Sequence, residues 1–292
     1  LRHASIVMRG YLRESQVYDV VQEIVKSEQG AVACATTLEN LASAYVATFN
    51  PENERWNGLH DSVRRSIEVL NLLDIKPMRP LLLAIAGKFD KKELGSAFQF
   101  VVSLAVRLVI ASSTRSGSIE LAVANAAFEV FSAKITDTSA MKRALGEIKP
   151  SNEEFGAAVE VAKVSQAKFA RYYLRSLEMA VKGEPEPWFV PTDDRSVINL
   201  EHVLPKKPMG NWPQFTDEQA DIWLNRLGNQ VLMRASENSG VRSEGFMAKK
   251  ALYSTSPYAL TKQVSEFSDW TPASIEARQK ALAELAVKTW PI

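Results

Sequence analysis

Up to residue 183 the apolar residues of this chain recur three and four positions apart, and nowhere in that stretch do they alternate over a strand's length. A period near 3.6 makes one face of a helix apolar, whereas a half-buried strand needs a period of two, so the pattern admits helices and excludes a sheet. Val17, Val20, Val21 and Ile24 form one such stripe, and Leu38, Leu41, Tyr45 and Phe49 a second. Val63, Ile67, Val69, Leu70 and Leu73 form a third, after which Pro77 and Pro80 punctuate the chain. The segment 91–112 carries an apolar run from Phe98 to Ile110 and is expected to be a helix buried on most faces. A polar loop over 112–118 then precedes a helix expected to open at Ile119 with Ser118 as its N-cap. The most pronounced signal follows Pro150. Ser151 and Glu154 have the spacing of a capping box, and periodic residues from Phe155 to Leu177 are expected to carry a single helix to a stop at Gly183. The reading is an all-helical domain over 1–186.

Beyond Gly183 the texture changes. Glu184-Pro185-Glu186-Pro187 has the stiffness of a linker, because proline breaks helices. Five of the six tryptophans and eight of the 13 prolines lie from Pro187 onward, which argues for a second domain over 187–292. In it, the β-branched segment 196–200 reads as a strand that runs into Glu201 and His202. A second strand is expected over 227–233, and a helix over 243–253 after the turn-forming run Glu237-Asn238-Ser239-Gly240. Strand with histidine, loop, strand and helix is the order of a ββα-metal finger. The fold class is therefore mostly α, with an N-terminal all-helical domain followed by an α+β domain containing a ββα-metal (HNH) finger.

Charge and motif content narrow the function. Thirty-five basic and 34 acidic residues leave a formal charge of +1, and the tail from Pro187 balances 12 against 12. Such a balance argues against holding nucleic acid by charge alone. One cysteine, Cys34, cannot form an internal disulfide or a structural zinc site, which fits a reducing cytoplasm. No apolar run is read as approaching the roughly 20 residues a bilayer requires, so no membrane partner is expected. No Gly-x-x-x-x-Gly-Lys-Ser/Thr loop is present. His3 and His60 stand isolated, Arg115 is taken as part of a solvated connector, and the tryptophans are expected to fill the core. The opening Leu1-Arg2-His3 is neither an initiator methionine nor a signal peptide, so the sequence reads as a piece of a longer protein.

One ordered set of motifs stands out in the tail: Glu201-His202-Val203-Leu204-Pro205, then Trp223 with Leu227-Gly228-Asn229, then Asn238, then Phe246-Met247-Ala248-Lys249. It continues with Trp270-Thr271, Ile275-Glu276-Ala277-Arg278 and Trp290-Pro291. This set resembles the HNH-type (His-Me finger) nuclease domain that closes GmrSD-like, type IV modification-dependent restriction endonucleases. The helical part resembles the segment that follows the N-terminal domain of such proteins by position and texture alone.

The resemblance implies phosphodiester hydrolysis in antiphage restriction. His202 would be the general base, since a histidine can take the proton of an attacking water. Glu201 and Asn238 would be oxygen ligands of Mg²⁺ or Mn²⁺, which neutralises charge on phosphate and leaving oxygen. Adjacent strand residues point to opposite faces, so Glu201 and His202 converge on one phosphate only if the chain twists there. Asn229 would orient the histidine or brace the loop, and Lys249 would contact phosphate. DNA is the implied partner, either modified phage DNA or DNA read against a phosphorothioate mark of the host. A further N-terminal domain that hydrolyses nucleotide and senses modification is implied as well. Two alternatives stay open: a non-catalytic DNA- or partner-binding scaffold with a degenerate nuclease motif, and a nuclease directed at RNA.

Overall fold

A computed structural model describes residues 1–111, 116–186, 198–208, 210–234 and 244–292. They form two compact units, Leu1–Pro150 and Ser151–Pro291.

The first unit is helical throughout its described residues. Its helices are α1 (Arg2–Arg9), α2 (Val17–Ile24), α3 (Glu28–Ala47), α4 (Ser62–Leu73), α5 (Arg79–Lys88), α6 (Lys91–Ala111), α7 (Ser116–Phe131) and α8 (Thr138–Ala144). α5 is buried from Arg79 to Ala86 and packs against α1, α3 and α7, while α4 lies on α6. Local chemistry sets the ends. Ser27 and Asp137 cap α3 and α8 by accepting from the backbone N–H groups of Gly30 and Ala140. Asp74 ends α4 in the left-handed region at φ 44°, a conformation a short polar side chain tolerates.

Two expectations for this unit need correction. α3 begins at Glu28, ten residues before the first residue of the expected stripe, because Ser27 supplies the cap. α6 spans the segment expected to be a buried helix, but the expectation that no apolar run approaches a membrane-spanning length does not hold for it. It is the one helix among the described residues long and apolar enough to cross a membrane, although 67% of its apolar window is buried inside the protein. That burial is what a core helix needs.

The second unit comprises α9 (Asn152–Val161), α10 (Ala167–Val181), β1 (Ile198–His202), α11 (Asp217–Leu224), β2 (Gln230–Arg234), α12 (Phe246–Tyr253), α13 (Ala259–Lys262) and α14 (Pro272–Thr289). The capping box of Ser151 and Glu154 opens α9 as expected. The single helix expected to reach Gly183 is instead two. Between them the backbone is spent on distant partners: Val164 N–H donates to Asn225 O, Val164 O accepts from the Gln230 amide, and Lys163 bridges Arg226. Long-range pairing has overridden helical periodicity. The compact units divide at 150/151, and the expected boundary at 186/187 falls at the edge of the described residues. α9 and α10 both pack on α14, and α10 also supports β1 and β2.

β1 and β2 form a two-stranded antiparallel sheet in which His202 pairs with Gln230 and Glu201 with Val231. Trp212, Phe215, Phe246, Trp270 and Ile275 build the core beside it, so the tryptophans described here do fill the interior. β1, β2 and α12 follow in the expected order, but the helices packed on the sheet are α10 and α13, and α12 meets β1 at Lys249.

Candidate active site

The candidate residues Glu201 and His202 stand at the end of β1. Alternation sends the two side chains apart. Glu201 is buried and faces α12, where Lys249 Nζ donates to its Oε1 at 2.7 Å. The same ammonium donates to the carbonyl oxygen of His202 at 2.7 Å. His202, half-buried, faces Gln230, whose Nε2 lies 3.3 Å from its Nε2. Gln230 is held in turn by donating to Val164 O at 2.9 Å. With that amide as donor, the ring proton resides on Nδ1. Burial and, secondarily, the Lys249 charge push the His202 pKa down to about 4, so the ring is neutral at pH 7.

Asn229 does not touch His202. Fully buried, its side chain divides its hydrogen bonds between Leu204, in the segment that follows the histidine, and Trp270 and Leu224. Its Oδ1 accepts from Leu204 N–H at 2.8 Å and from Trp270 Nε1 at 3.1 Å. Its Nδ2 donates to Leu204 O at 3.0 Å and Leu224 O at 3.1 Å. Of the two roles considered, the geometry matches bracing of the loop.

Lys249 also stands differently from the expectation. A phosphate contact needs an ammonium in reach of solvent, and this one is 0% exposed and bound to Glu201. The twist that would have brought Glu201 and His202 onto one phosphate is not seen. Asn238 lies outside the described residues. Among the described residues no group of three His, Cys, Asp or Glu side chains is close enough to hold a metal ion. Glu201 and His202 diverge, and Lys249 covers the near side of the carboxylate. These residues alone do not fit Mg²⁺ or Mn²⁺.

Two supporting residues, Gln230 and Gln279, escaped the sequence reading, and a third, Arg278, entered it only as part of the motif set. Gln230 is the partner of His202, and only the strand register would have revealed it. Gln279 of α14 accepts from Gly228 N–H and donates to Val159 O at 2.6 Å. Arg278, also on α14, donates to the carbonyls of Gly228 at 2.6 Å and Gln230 at 2.8 Å, fixing the turn that launches β2. Burial pushes its pKa down to about 10, which leaves it charged at neutral pH.

Residues 149–285 match the family of GmrSD restriction endonucleases, C-terminal domain. That segment covers most of the second unit, which is therefore similar to the C-terminal domain of these restriction endonucleases. No curated protein matches the chain.

Proposed function

We propose that the second unit is a metal-dependent DNA endonuclease of the HNH type, acting in the cytoplasm in antiphage restriction, with His202 as its general base. The observation that carries this reading is the neutral, half-exposed imidazole at the end of β1, inside the segment matched to the restriction endonucleases. The neutral ring keeps its one lone pair on Nε2, where the Gln230 amide donates at 3.3 Å, so taking a proton from water requires that amide to turn aside. Mg²⁺ or Mn²⁺ belongs to this reading as a requirement to be tested; the ligands implied by the family resemblance, Glu201 and Asn238, could serve only if Lys249 released the carboxylate. Modified DNA as target, and a nucleotide-hydrolysing sensor domain as partner, belong to it on the strength of the family resemblance.

Plasmid nicking by the purified chain, with Mg²⁺ or Mn²⁺ and beside His202→Ala, tests the proposal. Nicking that EDTA abolishes and His202→Ala loses is the expected result. Equal nicking by both proteins would remove His202 from the mechanism.

A specific observation favours a second reading. Lys249 already neutralises Glu201, as it would in a DNA-binding unit whose nuclease motif has degenerated. DNA retention in gel shifts without cleavage under any divalent ion would select it.

A further inference from the structure

The first unit holds a cavity that the nuclease reading does not use. It has a volume of about 390 Å³ and is enclosed by α1, the end of α3, the start of α5 and α7. One wall is made of flat groups. Tyr45 and Phe49 meet edge to face with ring centres 4.9 Å apart, and His3 lies 5.7 Å from Tyr45. The guanidinium of Arg79, itself buried, covers the Phe49 ring at 4.0 Å.

The charged residues of the lining, three cations against two carboxylates, sum to a cationic excess, and beyond these and the flat wall the remainder is apolar. Arg2 is paired with Glu120 at 2.6 Å and Arg79 with Asp74 at 3.4 Å. Lys76, exposed at the rim, has no ion-pair partner among the described residues. His3 differs from these cations. Burial, then the charges of Arg2 and Arg79, hold its pKa below the ordinary value, so it offers one donor and one acceptor. Beside this cavity lies an apolar one of about 460 Å³, lined by Leu38, Leu41 and Leu83 and sharing Arg2, His3 and Tyr45 with it.

We propose that this cavity binds a single nucleotide unit, with the base against Tyr45 and Phe49 and the phosphate at Lys76. Bases stack on aromatic faces and on arginine planes, and such stacking tolerates any base. An anionic oxygen gains most from the one ammonium not already neutralised. A neutral imidazole can read the edge of a stacked base. A cavity of this volume is at the lower end of what ligand sites use, which suits one nucleotide rather than a larger molecule. The inference is independent of the nuclease reading, because every residue it uses lies in the other unit.

Isothermal titration of the whole chain decides it. The four deoxynucleoside monophosphates test a free nucleotide, and an eight-residue oligothymidylate tests a unit within a strand. Binding with a Kd below about 1 mM is expected for at least one of these. Lys76→Ala should weaken that binding about 5- to 10-fold while leaving deoxynucleoside binding unchanged, whereas Phe49→Ala should weaken both. Both side chains are exposed, and thermal melts of each variant check that the fold is kept. Binding of the oligonucleotide alone would support the site with a strand as its source. Nucleotide binding unaltered in both variants would overturn the proposal, as would no heat from any nucleotide at millimolar concentration. So would binding of laurate with nucleotides inert, since the cavity pair would then be a site for an apolar acid.

Discussion

Lys249 Nζ sits 2.7 Å from Glu201 Oε1 with its side chain wholly buried, making this a buried ion pair between α12 and β1. Burial lowers the pKa of the lysine and the Glu201 charge opposes that shift. Such a pair adds little net stability, yet breaking it leaves one charge stranded. Lys249→Met should therefore cost about 3 to 5 kcal/mol. Adding Glu201→Gln to that variant should restore most of the loss. Urea titrations of the single and double variants measure the coupling, and a double variant no more stable than Lys249→Met would show that the two residues act independently.

His202 gives a stability profile that depends on acid. Its folded pKa is depressed to about 4 from an ordinary 6.5, so the unfolded chain binds more protons between those values. Stability should be full above pH 6.5 and fall as pH drops towards 4. Allowing for the ring's partial exposure, the loss by pH 4.5 is on the order of 1 to 2 kcal/mol. His202→Gln should flatten this part of the curve. Denaturation midpoints of the two proteins at pH 7 and pH 4.5 provide the comparison, and parallel losses would assign the acid sensitivity elsewhere.

The same site marks how far sequence reasoning reaches. Residue types, order and strand position were legible for Glu201 and His202, because local alternation and turn signals depend only on near neighbours. Their partners were not. Lys249 read as a phosphate contact, since nothing in Lys249-Lys250 tells which ammonium turns inward. Gln230 drew no notice, although the register sets it opposite His202. Helix existence was likewise visible while the break between α9 and α10 was not, because the carbonyl and amide of Val164 bond residues more than 60 positions away. Local chemistry writes the elements, and pairings of high sequence separation decide what they do.

Asn229 should be intolerant of a carboxylate. Its Nδ2 donates to two carbonyls, those of Leu204 and Leu224. In Asn229→Asp those contacts become oxygen against oxygen in a fully buried place, with no water to relieve them. A loss of about 3 kcal/mol or more is expected, together with lost order in the Leu204 segment. Thermal melts and amide exchange at Leu204 check this. A near-neutral Asn229→Asp would indicate that the segment is held by other contacts.

Glycine replacements in this unit separate a packing requirement from chain entropy. Gly228 stands where α14 comes closest to the turn before β2: a Cβ added there would lie 2.5 Å from Ile275 O and 2.9 Å from Gln279 Oε1. The first is helix backbone and cannot step aside. The second is fixed by its bond to Val159 O. Gly228→Ala must therefore push the turn off α14, straining the Gly228 N–H bond to Gln279 and the carbonyls gathered by Arg278. Since β2 starts at Gln230, the displacement reaches the partner of His202. Gly156, within α9, is the control, because its added Cβ would meet only Val287 Cγ2 at an ordinary 3.6 Å. Both changes reduce the freedom of the unfolded chain alike, which favours folding by about 0.4 to 1 kcal/mol where the native site accepts the methyl. Gly156→Ala should thus stabilise, whereas Gly228→Ala should destabilise by about 2 kcal/mol or more. The difference between the two midpoints in urea isolates the close approach, and a Gly228→Ala protein as stable as Gly156→Ala would mean that α14 does not brace the turn that positions Gln230.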